Sequence, residues 1–228
     1  MYEANEVKQN TVPAENQLQS SSLLQLSSGE TPKLKILFVG NSITYHAQKP
    51  EIGWLGSWGM AASKAENDYI HQSVKKLKQR YGTVGFGIAQ LAEWELHYED
   101  KAAHWQLPYV GIKEFAPDIT VIRMGENIPA EKMEQLNPKS YIADMIAFFG
   151  NGCRQVIVTD CFWKRDKLDC ILKEICDEKG YTFCEISDLY EDKRTMALGE
   201  YEHQGVALHP SDYGMERIAE RIVEKIGI

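Results

Sequence analysis

The chain has 228 residues, of which 33 are acidic and 25 are basic, and its formal net charge is -8. That length suits one α/β domain with a single large core. Because acidic side chains dominate and no run of Lys and Arg occurs, a nucleic acid partner is not expected. No apolar run of about 20 residues and no basic start followed by an apolar stretch is present, so we expect no membrane contact and a cytoplasmic location. Secretion with a removed signal peptide and the oligomeric state stay open.

The cysteines all lie in the second half of the chain: Cys153, Cys161, Cys170, Cys176 and Cys184. Their odd number and the lack of a C-x-x-C pair favour buried free thiols over a disulfide set or a metal site. Such thiols fit a reducing compartment. No metal or other cofactor is expected, since four of the histidines show no metal-ligand spacing with each other: His71, His97, His104 and His203.

The chain divides into an arm and a domain. Residues 1–32 carry Gln, Asn, Ser and Glu without sustained periodicity and end in a run that contains Ser, Gly and Pro, which predicts a flexible or surface-wrapped arm. Leu23, Leu24 and Leu26 are candidates to anchor it. The globular domain is expected to span residues 33–228.

Within that domain, apolar runs of strand length recur at residues 34–39, 83–88, 118–124, 155–159 and 182–186. Helical patterns separate these runs. The clearest is an apolar stripe over residues 168–176 that stops at Gly180, and a last helix over residues 215–226 follows Ser211 or Asp212 as N-cap.

Strands that alternate with helices predict right-handed crossovers and a parallel sheet covered on both faces. The predicted fold class is therefore α/β, in three layers (α/β/α), with a flavodoxin-like sheet of about five strands. Ligands of such sheets bind beyond the carboxyl ends of the strands. We accordingly expect the reactive residues where strands end.

Three strand-end or pre-helix segments each carry a candidate reactive group: Ser42 in a Gly-Asn-Ser-Ile-Thr run, Asn127 in Gly-Glu-Asn, and His209 in His-Pro-Ser-Asp. Taken singly, each has an ordinary explanation as a helix cap or turn former. Together they match the needs of acyl transfer. A serine hydroxyl requires an adjacent base such as neutral imidazole, and the charge that develops on a carbonyl oxygen requires fixed donors such as an Asn amide.

These segments resemble motif blocks of the SGNH hydrolases, the GDSL-like lipases and esterases, and the resemblance extends over residues 34–226. By that resemblance Ser42 is the nucleophile, His209 is the base, and the Asn127 side chain and the Ser42 backbone N–H form the oxyanion hole. Residues 52–63 resemble a bacterial subgroup associated with carbohydrate esterases. The implied activity is ester hydrolysis through an acyl-serine intermediate, which removes small acyl groups such as acetyl from a carbohydrate or similar small substrate.

One position departs from the family pattern, because Val206 stands where the family has an Asp three residues before its His. Loss of the equivalent acid in other serine hydrolases costs roughly 10,000-fold in rate. The candidates to orient His209 instead are the Val206 backbone carbonyl and the carboxylates of Glu95, Glu126 and Glu202. The carbonyl is favoured because it lies one turn from His209, and the site would then be a Ser-His dyad.

Further residues are assigned to the predicted pocket. The family's second block supplies a backbone N–H after the second strand, and Ala92 is the candidate here. Tyr45, Glu126 and Trp94 are predicted to contact the substrate. Other aromatic residues are candidates for stacking walls, although core packing is the simpler explanation for most of them: Trp54, Trp58 and Trp163.

Two other functions stay open at this point. A catalytically impaired binding protein of the SGNH fold would keep the pocket, and Val206 would then mark lost chemistry. A nucleotide- or flavin-binding module would use residues 40–44 as a phosphate loop, but this loop lacks both the Gly-x-x-x-x-Gly-Lys-Ser/Thr pattern and a basic residue.

Overall fold

The computed structural model describes residues 23–27, 31–100 and 104–228. Its centre is a six-stranded sheet. The strands in chain order are β1 (Leu24–Leu26), β2 (Leu34–Gly40), β3 (Val84–Gln90), β4 (Ile119–Arg123), β5 (Gln155–Thr159) and β6 (Thr182–Cys184). In space the order is β1-β3-β2-β4-β5-β6, with β1 antiparallel to β3 and every other pair parallel.

Helices connect and cover these strands in the described part of the chain. They are α1 (Tyr69–Tyr81), α2 (Ala92–His97), α3 (Ile112–Phe115), α4 (Ala130–Gln135), α5 (Lys139–Phe149), α6 (Asp166–Lys179), α7 (Gln204–Ala207) and α8 (Asp212–Glu224). As predicted, α6 ends at Gly180, and the N-cap of α8 is Ser211, whose hydroxyl accepts a hydrogen bond from the Gly214 N–H at 3.2 Å. No helix in these ranges is long and apolar enough to cross a bilayer.

Both faces of the sheet are buried, which explains why its strands read as continuous apolar runs. Successive side chains of β2 point to opposite faces, so Ile36 and Phe38 join one core cluster and Leu37 and Val39 join the other. Helices α1 and α8 contribute their apolar stripes to the first cluster, whereas α5 and α6 contribute to the second. The result is the predicted three-layer α/β/α arrangement.

The sheet has one strand more than predicted. Leu24–Leu26 belongs to the predicted arm and adds an antiparallel edge strand to β3, so the sheet is mostly, and not wholly, parallel. The pairing continues outward, since the Gln90 N–H donates to the Leu23 carbonyl at 2.8 Å. Residues 1–22 and 28–30 of the predicted arm lie outside the described residues.

The cysteines differ in burial. Cys161, Cys176 and Cys184 are buried free thiols, as predicted. Cys153 is half-buried and Cys170 is exposed, so the prediction of buried thiols is wrong for Cys170. That residue lies on the outward side of α6, between the apolar positions that face the core.

Strand β2 occupies the point at which the chain changes direction across the sheet. It pairs with β3 on one side and with β4 on the other, so Gly40 is aligned with both Gln90 and Arg123 at the carboxyl edge. A crevice forms outside the carboxyl end of a strand at such a point, because the connections on its two sides leave in opposite directions. Ser42 is the second residue after β2 and therefore lies at this crevice.

Candidate active site

Ser42 and His209, which are 167 positions apart in sequence, meet at the carboxyl edge of the sheet. The Ser42 Oγ is 2.8 Å from the His209 Nε2. Ser42 begins a tight turn in which the Asn41 carbonyl accepts hydrogen bonds from the Thr44 and Tyr45 N–H groups, both at 2.9 Å. A Cβ on Gly40 would lie 2.3 Å from the Arg123 carbonyl, so the close approach of these two chains needs glycine at that position.

The tautomer of His209 follows from its second hydrogen bond. The Nδ1 lies 2.6 Å from the Gly205 carbonyl oxygen, which can only accept. Nδ1 must therefore carry the proton, and Nε2 is left with a lone pair directed at the Ser42 hydroxyl. Burial lowers the pKa of His209 to about 4, against the smaller raising effect of the Gly205 hydrogen bond. The imidazole is accordingly neutral at neutral pH.

The prediction that the Val206 carbonyl orients His209 names the wrong residue. A main-chain carbonyl does hold the imidazole, but it belongs to Gly205, whereas the Val206 carbonyl accepts the His209 backbone N–H at 3.0 Å. The physical reason is the single turn of α7, which brings the carbonyl four residues before His209 under its ring. The exposed Glu202 side chain is not the partner of this nitrogen.

Trp163 packs against His209. Its ring lies edge-on to the His209 imidazole, with 4.9 Å between the ring centroids and 84° between the planes. The indole N–H donates to the Leu208 carbonyl at 3.2 Å, which fixes the ring beside His209. Trp163 was predicted only as one of several candidate wall residues, and the sequence carries no signal that separates it from the others.

A buried ionic network underlies the turn that carries Ser42. Arg123, at the end of β4, forms an ion pair with Glu126 and donates to the Asn41 side-chain carbonyl. The Asn41 amide donates to Glu126 at 2.6 Å and to Glu95 at 3.1 Å. The Phe162 N–H, which follows β5, donates to Glu126 at 3.0 Å. The network thus joins the loops at the carboxyl ends of β2 to β5.

These contacts correct the predictions for both glutamates. The Glu126 side chain is only 2% exposed and its oxygens face Arg123, Asn41 and Phe162, whereas the substrate-binding role predicted for it stays a prediction. Neither Glu126 nor Glu95 supplies the acid for His209, because the His209 Nδ1 is held by Gly205.

The electrostatics of the network follow from its burial. Burial and the neighbouring Glu126 raise the pKa of Glu95. The Arg123 guanidinium and the Asn41 amide hold the pKa of Glu126 below its usual value, despite the opposing effect of burial. Glu126 is therefore the ionised partner of Arg123, and the charge of Glu95 is the one that responds to pH.

The two residues predicted for the oxyanion hole follow β4 and β3. Asn127 lies four positions beyond the end of β4, at the same edge as Ser42, and its backbone N–H donates to Glu95 at 3.3 Å. The role of its side chain stays a prediction. The Ala92 N–H donates to the Gln90 side chain at 2.8 Å, and its role as an oxyanion donor likewise stays a prediction. Its donor is already used in the turn that starts α2.

The structure buries the two aromatic residues predicted to contact substrate. Tyr45 is packed in the first core cluster, on the side of the sheet covered by α1 and α8. Trp94 packs against Tyr98 and Trp105 and lines a separate cavity of about 310 Å³ with them. Both positions fit core packing, the simpler explanation, and the contact of these residues with substrate stays a prediction.

No protein-family model matches the chain, and no curated protein does. Solved structures are similar in fold. A variant of Axe2, an acetyl xylan esterase from Geobacillus stearothermophilus, is 18% identical with a TM-score of 0.55, over 86% of this chain and 95% of that one. A family 3 carbohydrate esterase from Clostridium thermocellum is 14% identical with a TM-score of 0.54, over 84% and 94%.

A protein assigned as a GDSL-like lipase, from Parabacteroides merdae, is 13% identical with a TM-score of 0.56, over 86% of this chain and 97% of that one. At such identities the similarity establishes the fold alone. The chain has the fold of the SGNH hydrolases, and the resemblance predicted from the sequence is confirmed at that level.

Proposed function

We propose that this protein is a serine ester hydrolase that acts through an acyl-Ser42 intermediate, with His209 as its base. The single observation that carries the proposal is the hydrogen-bonded chain from the Ser42 Oγ through the His209 imidazole to the Gly205 carbonyl, at 2.8 and 2.6 Å. Both distances fall within the reach required for general-base activation of a nucleophile.

In the first half of the reaction, the Ser42 oxygen attacks the ester carbonyl while its proton moves to the His209 Nε2. The negative charge then rests on the former carbonyl oxygen, where the Asn127 side-chain amide and the Ser42 N–H are the proposed donors. The tetrahedral intermediate collapses as the imidazolium gives its proton to the departing alcohol oxygen, which leaves an acyl-serine. Water repeats these steps and releases the carboxylic acid.

The site works as a dyad in this mechanism. The Gly205 carbonyl holds the correct tautomer, which is one of the two tasks of a triad acid. The other task, stabilising the imidazolium, falls to a dipole and not to a full charge. We therefore expect esters with good leaving groups to be cleaved much faster than those with poor ones, since the latter depend most on proton donation by the imidazolium.

The proposed substrate is a small acyl ester, such as acetate, on a carbohydrate. Trp163 beside His209 offers an aromatic surface of the kind that packs against sugar rings. The similarity of the fold to an acetyl xylan esterase and to a carbohydrate esterase agrees with this choice.

The test is hydrolysis of p-nitrophenyl acetate by the wild-type protein and by Ser42→Ala, followed by acetate release from acetylated oligosaccharides. Ser140→Ala is the matched control, because Ser140 is exposed on α5. We expect Ser42→Ala to be inactive and the control to be unchanged. Equal activity of Ser42→Ala and the wild type would exclude the mechanism, and an inactive wild type would favour the binding protein considered above.

A further inference from the structure

Glu95 is a fully buried carboxylate that contacts two catalytic loops at once. It lies on α2, after the carboxyl end of β3, and is 0% exposed. Its Oε1 accepts the Gly125 N–H at 2.5 Å, and its Oε2 accepts the Asn127 N–H at 3.3 Å. Both oxygens also accept from the Asn41 side-chain amide, at 3.1 and 3.2 Å.

Those contacts reach the neighbours of the residues proposed for catalysis. Asn41 directly precedes Ser42, and the two main-chain donors enclose the loop that presents Asn127. Gly125 has a φ of 122°, and a Cβ there would lie 2.5 Å from a Leu168 methyl, so this loop follows a path open to glycine. A loop in so restricted a conformation needs fixed contacts to keep its place.

We infer that Glu95 is a positioning residue of the esterase site, which sets the distance between the Asn127 loop and the Ser42 turn by binding both. The inference rests on the proposed function. It assigns a catalytic purpose to a carboxylate that does not touch His209.

The hydrogen-bond pattern explains why a carboxylate is needed at this position. Every group that faces Glu95 in these contacts is a donor, and a carboxylate accepts through both oxygens. A glutamine would turn an NH₂ group toward at least one of these donors. Arg123 and Glu126 close the network on the other side of Asn41, so a displaced Glu95 leaves the Asn41 side chain held from one side alone.

The experiment compares Glu95→Gln with Glu93→Gln, a control on the exposed face of the same helix. Because small displacements of catalytic groups cost roughly 100-fold, we expect kcat of Glu95→Gln to fall by about that factor with little change in KM. The control should match the wild type. A wild-type kcat in a folded Glu95→Gln protein would overturn the inference.

A double variant separates positioning from general destabilisation. If Glu95 acts by placing Asn127, then Glu95→Gln costs much less in an Asn127→Ala background than in the wild type, because the group it positions is gone. Losses that simply multiply in the double variant would also overturn the inference.

If Glu95→Gln does not fold, amide hydrogen exchange in the wild-type protein tests the inference instead. Hydrogen bonds to a buried carboxylate should make the Gly125 and Asn127 amides exchange slowly, and exchange as fast as in an exposed loop would contradict the positioning role. This readout needs no esterase activity. The Ser42→Ala assay tests the proposed function by itself, so failure of the one and failure of the other are distinguishable.

Discussion

The buried state of His209 predicts an unusual dependence of activity on pH. His209 is 8% exposed, its ring packs edge-on against Trp163, and burial lowers its pKa to about 4. It acts as a base only when it is neutral. Since protonation of Glu95, whose pKa is raised, also lowers activity if Glu95 positions the site, the titration of His209 is measured in Glu95→Gln. There we expect kcat/KM for p-nitrophenyl acetate to stay level as the pH falls through 6.5, the ordinary value for histidine, and to reach half its maximum at about pH 4.

The same burial affects stability. The difference between about 6.5 in the unfolded chain and about 4 in the folded one corresponds to about 3 kcal/mol, since one pKa unit is worth about 1.4 kcal/mol. The folded pKa is the lower one, so the unfolded chain takes up a proton first as the pH falls. The contribution of His209 to the free energy of unfolding is therefore complete above pH 6.5 and is lost between pH 6.5 and about 4.

The assay is urea denaturation at several pH values in this window, with wild type compared with His209→Gln and with His97→Gln, whose side chain is exposed. The variants are needed because Glu95 changes the free energy of unfolding in the opposite direction. Its pKa is raised in the folded protein, so Glu95 stabilises the fold at low pH and this stabilisation is lost as the pH rises. The wild type and the His97 control should lose more stability than His209→Gln. A half-maximum of kcat/KM near pH 6.5 in folded Glu95→Gln protein would refute the burial argument.

Other substitutions test the packing and the network. The Val206 side chain is fully buried, so Val206→Asp should lower the free energy of unfolding by several kcal/mol without raising kcat, and a gain in kcat would contradict the orientation by Gly205. Asn41→Asp replaces donors to two carboxylates, each worth about 1.5–3 kcal/mol, and should cost about 3–6 kcal/mol; an unchanged urea midpoint would disprove these contacts. Asn127→Ala should lower kcat by roughly 100- to 1,000-fold, and a raised KM at constant kcat would exclude its oxyanion role.

The sequence was sufficient for the central strands because each is buried on both faces and reads as an unbroken apolar run. It was insufficient for β1, whose three residues lie in a polar segment and gain their strand conformation from pairing with β3. Tertiary pairing of this kind leaves no local pattern to detect.

The site shows the same division. Ser42 and Asn127 were located because strand ends of a parallel sheet share one edge, and His209 by the resemblance of its pre-helix segment to a family motif. The prediction chose Val206, one residue away from Gly205, because it relied on the spacing of the family motif. The conformation of α7 determines which carbonyl contacts the imidazole, and this conformation cannot be read from the spacing. Arg123 carried a usable signal, because a charged residue ending an apolar strand needs a buried partner, and Glu126 follows three residues later. No sequence signal marked Glu95 as buried, because the residues beside it on α2 include exposed acidic residues as well as apolar ones.

The central claim is that Ser42 is a nucleophile activated by His209, and covalent labelling tests it most directly. An alkyl fluorophosphonate forms a stable adduct only with an activated serine, and mass spectrometry of the digested protein locates it. We predict a single adduct on the peptide that contains Ser42, strongly reduced in His209→Ala and unchanged in Ser140→Ala. Labelling elsewhere with Ser42 unmodified, or labelling of Ser42 at the same rate without His209, would contradict the account.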